Sequence, residues 1–107
     1  MRTKLSLFLL ASLVPAFPAA AESLDFTLEN GSENMIVQFF VSPEGGGKSV
    51  DLLKKKGLYA GKSRALTIND GTDSCVYRIR AVFETDSYYD IRDKVDFCEV
   101  GTYTIGN

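Results

Sequence analysis

The chain has 107 residues, 14 of them acidic and 12 basic, and it contains neither histidine nor tryptophan. The missing histidine excludes Ser-His-Asp catalysis, Cys-His nucleophiles and imidazole-ligated zinc. A net charge of −2 makes a poor nucleic-acid binder, since that affinity comes mainly from neutralising phosphates.

The first residues read as an export signal. Arg2 and Lys4 give a positive start, residues 5–14 are a largely apolar run, and Pro15 and Pro18 interrupt it before Ala19-Ala20-Ala21. The run is too short to cross ~30 Å of hydrocarbon as a helix. Cleavage after Ala21 is expected, so residues 1–21 are set aside. Residues 22–107 then form a single β-domain in the periplasm, with no membrane insertion. Without Arg2 and Lys4, ten basic side chains face 14 acidic ones, a net charge of −4. Two cysteines in an exported chain, far from a C-x-x-C spacing, are expected to pair as a structural disulfide, Cys75 with Cys98.

Residues 24–30 alternate apolar and polar, with Leu24, Phe26 and Leu28 on one face, and predict a half-buried strand. Asn30-Gly31-Ser32 is turn chemistry. Residues 35–41 predict a second strand, Met35, Val37, Phe39 and Val41 facing one way and Ile36 and Phe40 the other, as in a central strand covered on both sides. The glycines at 45–47 make a flexible loop. Residues 50–56 predict either a short helical turn or an irregular edge. Residues 64–68 read as a third strand, and Asn69-Asp70-Gly71 as a tight hairpin turn leading to Cys75. Residues 100–105 close the chain as a last short strand.

Between the cysteines lies a predicted hairpin. Its inward side chains are Tyr77, Ile79, Ala81 and Phe83 on one strand and Ile91, Val95 and Phe97 on the other. Pairing Phe83 with Ile91, Ile79 with Val95 and Tyr77 with Phe97 keeps them on one face. It sets Arg78 opposite Asp96, a charge pair worth about a few tenths of a kcal/mol. That register needs a loop at Asp86-Ser87-Tyr88 and a bulge near Phe97 or Cys98, since Cys75 would otherwise face Glu99. The expected fold is a small antiparallel β-sandwich or open barrel of five to seven strands with one disulfide.

Most motifs dissolve on inspection. Gly47-Lys48-Ser49 and Gly61-Lys62-Ser63 lack the earlier glycine of a phosphate-binding loop, with Ser42 and Lys56 at that position. Residues 69–73 lack the alternating ligands and closing glutamate of a calcium loop. Lys54-Lys55-Lys56 reads as a solvated loop. A two-carboxylate hydrolase needs a cleft that one thin sandwich rarely offers, so a non-enzymatic protein is expected.

The hairpin tip carries the one chemical suggestion. In the register above Glu84 lies opposite Asp90, with Asp86 on the same face, and like charges directly opposite are destabilising. Two readings stand. One is a solvated, charge-rich end that guards against edge aggregation, with Arg92 relieving the repulsion. The other is a hard-cation site of Glu84, Asp86 and Asp90 near the Tyr88 hydroxyl, taking a calcium-like or lanthanide ion. Three carboxylates do not fill such an ion's coordination shell, so the cation reading extends to a metal-bridged homodimer. Its alternative is a metal-free module that binds a periplasmic protein partner through a sheet edge or the glycine loop.

Val41-Ser42-Pro43, Leu52-Leu53, residues 61–68, the run Cys75-Val76-Tyr77-Arg78-Ile79-Arg80-Ala81-Val82-Phe83, and Phe97-Cys98 together resemble a family of small exported bacterial β-domains with a paired-cysteine C-terminal hairpin. The resemblance covers most of residues 22–107 and implies a fold rather than an activity. This chain departs from the pattern at Arg78, where the family tends to have aspartate, in lacking tryptophan, and in its acidic, tyrosine-rich tip. It is also similar to the small periplasmic lanthanide-handling proteins of methylotrophic bacteria, a likeness that transfers no ligand residue.

Overall fold

Apolar side chains at every second position make Leu24–Asn30 a half-buried strand, β1, with Phe26 and Leu28 in the core and Asp25 in solvent. The computed structural model describes residues 23–85 and 90–106, and the expected signal segment lies outside them. Six further strands follow: β2 at Ile36–Pro43, β3 at Val50–Asp51, β4 at Ser63–Ile68, β5 at Val76–Phe83, β6 at Ile91–Asp96 and β7 at Thr102–Ile105. They build two sheets, ordered β4-β1-β7 and β3-β2-β5-β6, and no helix occurs among the described residues. Every pairing is antiparallel except β1 with β7, which is parallel. The expected all-β, disulfide-closed domain is what the chain forms.

The core lies between the sheets. Phe26, Leu28, Leu66, Ile68 and Ile105 come from one side, and Ile36, Phe39, Val41, Ile79, Ala81 and Val95 from the other. Phe97 sits among them just past the end of β6, its ring 4.3 Å from Phe26 and 6.1 Å from Tyr77. Each large side chain buried this way contributes about 1.5–3 kcal/mol. At the end of β1 the buried Asn30 amide donates to the carbonyls of Asn34 (2.7 Å) and Leu58 (2.9 Å), and its carbonyl accepts from the Ser32 N–H and hydroxyl. One polar side chain thereby satisfies a turn that the sequence marks only as Asn-Gly-Ser.

Two local expectations change, and at residues 50–56 one of two alternatives is selected. The register of β2 against β5 shifts between Ile36 and Gln38, a bulge that turns both Ile36 and Phe39 inward and leaves Val37 half-buried. Residues 50–56 form the irregular edge rather than a helical turn: β3 has two residues, and Lys54 and Lys55 follow at φ 53° and 69°. Residues 69–75 are not a hairpin turn, because β4 and β5 belong to different sheets. That segment crosses between sheets and is pinned by Asp70, which accepts from the Tyr77 hydroxyl at 2.8 Å and from the Thr72 N–H and hydroxyl. Burial works against ionising Asp70, but these bonds outweigh it and hold the carboxyl below its ordinary range.

The largest correction is the register of β5 with β6. Tyr77 faces Val95, Arg78 faces Lys94, Ile79 faces Asp93, Arg80 faces Arg92 and Ala81 faces Ile91, a two-residue slip from the expected pairing. A slip of two keeps the apolar side chains on the same face, so hydrophobic patterning does not distinguish the two registers. Chain closure does. In the observed register the Phe97 N–H donates to the Cys75 carbonyl at 2.8 Å, and the chain then turns with the Asp96 carbonyl accepting from Glu99 and Val100. The turn carries Cys98 back to Cys75, at a Cα separation of 5.2 Å, and no bulge near Cys98 is required. Phe97 reaches the core from this turn, not as a strand residue opposite Tyr77.

Candidate functional site

The corrected register redistributes the carboxylates of the hairpin tip. Glu84 does not face Asp90. Its carboxylate accepts the Met35 N–H at 3.2 Å, and its own N–H donates to the Met35 carbonyl at 3.0 Å. Asp90 instead receives the Arg80 guanidinium, with Nε and Nη2 each 2.7 Å from Oδ2. Asp86, Tyr88 and the loop around them lie outside the described residues. Among the described residues, then, the two expected ligands Glu84 and Asp90 serve different partners. The one group of three sulfur and carboxylate side chains among the described residues close enough to share an ion is Cys75, Asp96 and Cys98. Its cysteines are joined to each other, and Asp96 accepts the Cys98 N–H at 3.0 Å. It offers no thiolate.

The same slip assembles a different feature on the outer face of β2, β5 and β6. Alternation sends Arg78 and Arg80 of β5 outward while Tyr77, Ile79 and Ala81 point into the core. On β6, Arg92 and Lys94 point outward beside Val95. The pairing brings Arg78 against Lys94 and Arg80 against Arg92. Two like-charge pairs side by side on one sheet face oppose folding by roughly 0.2–1 kcal/mol each.

Two acids relieve part of that repulsion. Asp90 pairs with Arg80, and Glu44, at the start of the glycine loop, reaches Lys94 at 2.8 Å. The hydrogen bond from Lys94, followed by its charge, holds the Glu44 carboxyl below its ordinary range, with Arg78 adding to the effect. Arg78 and Arg92 have no ion-pair partner among the described residues. Phe40 supplies the floor from β2, with the Arg80 guanidinium 5.6 Å above its ring centre. Ser42 and Ser49 add hydroxyls at the rim, and the whole encloses a shallow concavity of about 450 Å³. Asp93 is the single acid lining it. That carboxylate is turned to the sheet edge, where it accepts the Tyr103 hydroxyl of β7 at 2.7 Å and so ties the two sheets together.

No known protein family, curated protein or solved structure matches this chain. Function therefore has to come from what the face can do. Exposed guanidinium groups without an ion-pair partner, such as those of Arg78 and Arg92, recognise planar oxyanions through paired N–H donors. A concavity open along one side accepts an extended or surface-borne anion more readily than an enclosed small molecule.

The signal for this face was present in the sequence as Arg78-Ile79-Arg80 and Arg92-Asp93-Lys94, two strands with cations at i and i+2. It was hidden by the register. With Arg78 set opposite Asp96, one of the cations is cancelled on paper.

Proposed function

We propose that this chain is a non-enzymatic, exported binding domain whose four-stranded sheet receives an acidic segment of a partner protein. The observation that carries the reading is the opposition of Arg78 to Lys94 and of Arg80 to Arg92 in a chain whose overall charge is negative. A locally unfavourable charge arrangement retained on an exposed face is explained when a ligand completes it. The disulfide suits an oxidising compartment such as the periplasm. The absence of histidine and of free cysteine argues for binding rather than catalysis.

The test uses fluorescence anisotropy with a fluorescein-labelled oligoglutamate peptide. Wild type is expected to bind, and raising NaCl to about 0.5 M, where the screening length is ~4 Å, should release the peptide. The Arg78→Glu/Arg92→Glu variant should weaken binding at least about tenfold, the equivalent of ~1.4 kcal/mol. Asp90→Asn should tighten it, because it frees the Arg80 guanidinium for the ligand.

The calcium-like or lanthanide site first expected at Glu84, Asp86 and Asp90 makes the opposite prediction for the same variant. Under it Asp90→Asn removes a ligand, and tyrosine-sensitised terbium emission falls. Strong terbium emission lost in Asp90→Asn, with peptide affinity unchanged by any of these substitutions, would favour the cation.

A further inference from the structure

The two sheets part along β3 and β4, and this side of the sandwich differs from the other. On the far side β6 is protected by charge at Arg92, Asp93 and Lys94, and Tyr103 bridges to it from β7. On the near side β3 covers only two residues, while β4 runs for six with β1 as its single neighbour among the described residues. The Asn30 N–H donates to the Lys62 carbonyl at 2.9 Å, just before β4 begins. Antiparallel bonding alternates from there, so Arg64, Leu66 and Ile68 turn their main-chain groups toward β1. Ser63, Ala65 and Thr67 turn theirs outward, and all three side chains are exposed and uncharged. The strand's one charge, Arg64, turns its guanidinium to the Lys56 and Gly57 carbonyls, and no proline or bulge interrupts the outward main chain. An edge of this length is one that proteins normally cover.

Beside that edge lies a groove of about 350 Å³ with Val41, Leu52 and Ile68 as its floor. Val50, 42% exposed, forms its apolar lip, and Lys48 and Lys54 stand on its rim with Asp70, whose carboxylate is already engaged by Tyr77 and Thr72. Lys54 and Lys55 are the two non-glycine residues with positive φ among the described residues, and they are consecutive. Side-chain-bearing residues in this region are strained, and such strain concentrates at binding elements. Here it fixes the turn that puts Lys54 at the groove.

The geometry points to β-strand addition at β4: an extended segment of a partner protein pairs with the outward main chain of Ser63, Ala65 and Thr67. Alternate side chains of that segment enter the groove, so they are apolar, and its carboxylates meet Lys48 and Lys54. A second copy of this chain fits less well. Its own β4 would bring Leu66 and Ile68, which are already buried in their own core, and the groove floor would stay unfilled. This surface is independent of the basic face proposed above.

The test is run in the Arg78→Glu/Arg92→Glu background, which removes the basic face and keeps the two proposals separable. The probe is a short capped peptide of alternating valine and glutamate, labelled with fluorescein. Binding is expected in this background and should weaken at least about tenfold on Ala65→Pro, which deletes an outward N–H without touching a bond to β1. Val50→Glu, a surface change at the lip, should weaken binding comparably and keeps the test valid if the proline variant does not fold. An alternating valine–lysine peptide should bind more weakly than the glutamate one. Equal affinity of the glutamate peptide for all three proteins, or none for any, would overturn the proposal. So would a concentration-dependent dimer that is lost in Ala65→Pro and excludes the peptide, since it would assign the edge to a second copy.

Discussion

Removing the disulfide tests how the fold is held where its charged face is built. Cys75 and Cys98 are 23 residues apart in sequence, and the ring they close contains all of β5 and β6. On the chain-entropy model, cross-linking at that separation restricts the unfolded chain by about 3.4 kcal/mol at 25 °C. A domain of this size has a total stability of roughly 5–10 kcal/mol, so Cys75→Ala/Cys98→Ala should remain folded but lose a third or more of its stability. With a urea m-value of about 1 kcal/mol per molar, the midpoint should fall by roughly 3 M. The assay is urea denaturation followed by circular dichroism, with wild type kept oxidised. Because Asp96 holds the Cys98 N–H and its carbonyl caps the same turn, the turn is expected to persist in the variant. A loss below about 1 kcal/mol would refute the entropy argument. A changed m-value would relocate the effect to the compactness of the unfolded chain.

Three further outcomes follow from the core and its polar contacts. Phe97→Ala should cost about 3–5 kcal/mol although residue 97 lies outside any strand, whereas Tyr59→Ala, at a residue 67% exposed, should change stability by less than about 0.5 kcal/mol. Similar effects at the two sites would contradict the placement of Phe97. Asn30→Ala leaves the Ser32 N–H without its acceptor and removes one of two donors from each of the Asn34 and Leu58 carbonyls, which keep the Ser32 hydroxyl and the Ile36 N–H. It should cost about 1–3 kcal/mol by urea denaturation; a near-neutral result would mean that water replaces the network. Burial, and then the hydrogen bond to Asp93, raise the Tyr103 phenol well above its ordinary range. A raised folded value gives stability that is complete below the unfolded pKa of about 10 and declines as pH rises toward the folded one. Tyr103→Phe should therefore flatten the alkaline limb of stability against pH between about 9 and 11, and equal slopes in the two proteins would exclude the Tyr103–Asp93 contact as its source.

How much of this was legible in the chain depends on which physical signal carried each part. Strands β1, β4 and β5 were readable because the alternation of Leu24, Phe26 and Leu28, of Leu66 and Ile68, and of Tyr77, Ile79, Ala81 and Phe83 has period two, and burial follows it. The disulfide followed from cysteine count and spacing. The bulge in β2 was not readable, since Ile36 and Phe39 are each plausible core residues and only their neighbour β5 decides that both are. The sheet-crossing at residues 69–75 was mistaken for a hairpin because Asp-Gly serves both, and the Tyr77–Asp70 bond that fixes it is long-range information. The register of β6 failed for the reason that matters most to function. Apolar pattern fixes register only to within two residues, and a two-residue slip turns Arg78–Asp96 complementarity into Arg78–Lys94 opposition. With that slip Glu84 and Asp90 ceased to face each other, and a cationic face took their place as the feature in need of a ligand.

The most direct test of the central claim is a map of amide chemical-shift changes when the ¹⁵N-labelled domain is titrated with oligoglutamate. The account predicts that the changes concentrate on β2, β5 and β6, at Phe40, Arg78, Arg80, Arg92 and Lys94, and vanish at high salt. Saturable changes confined to β1, β4 and β7, or a titration that leaves the Arg78 and Arg92 amides unmoved, would contradict it.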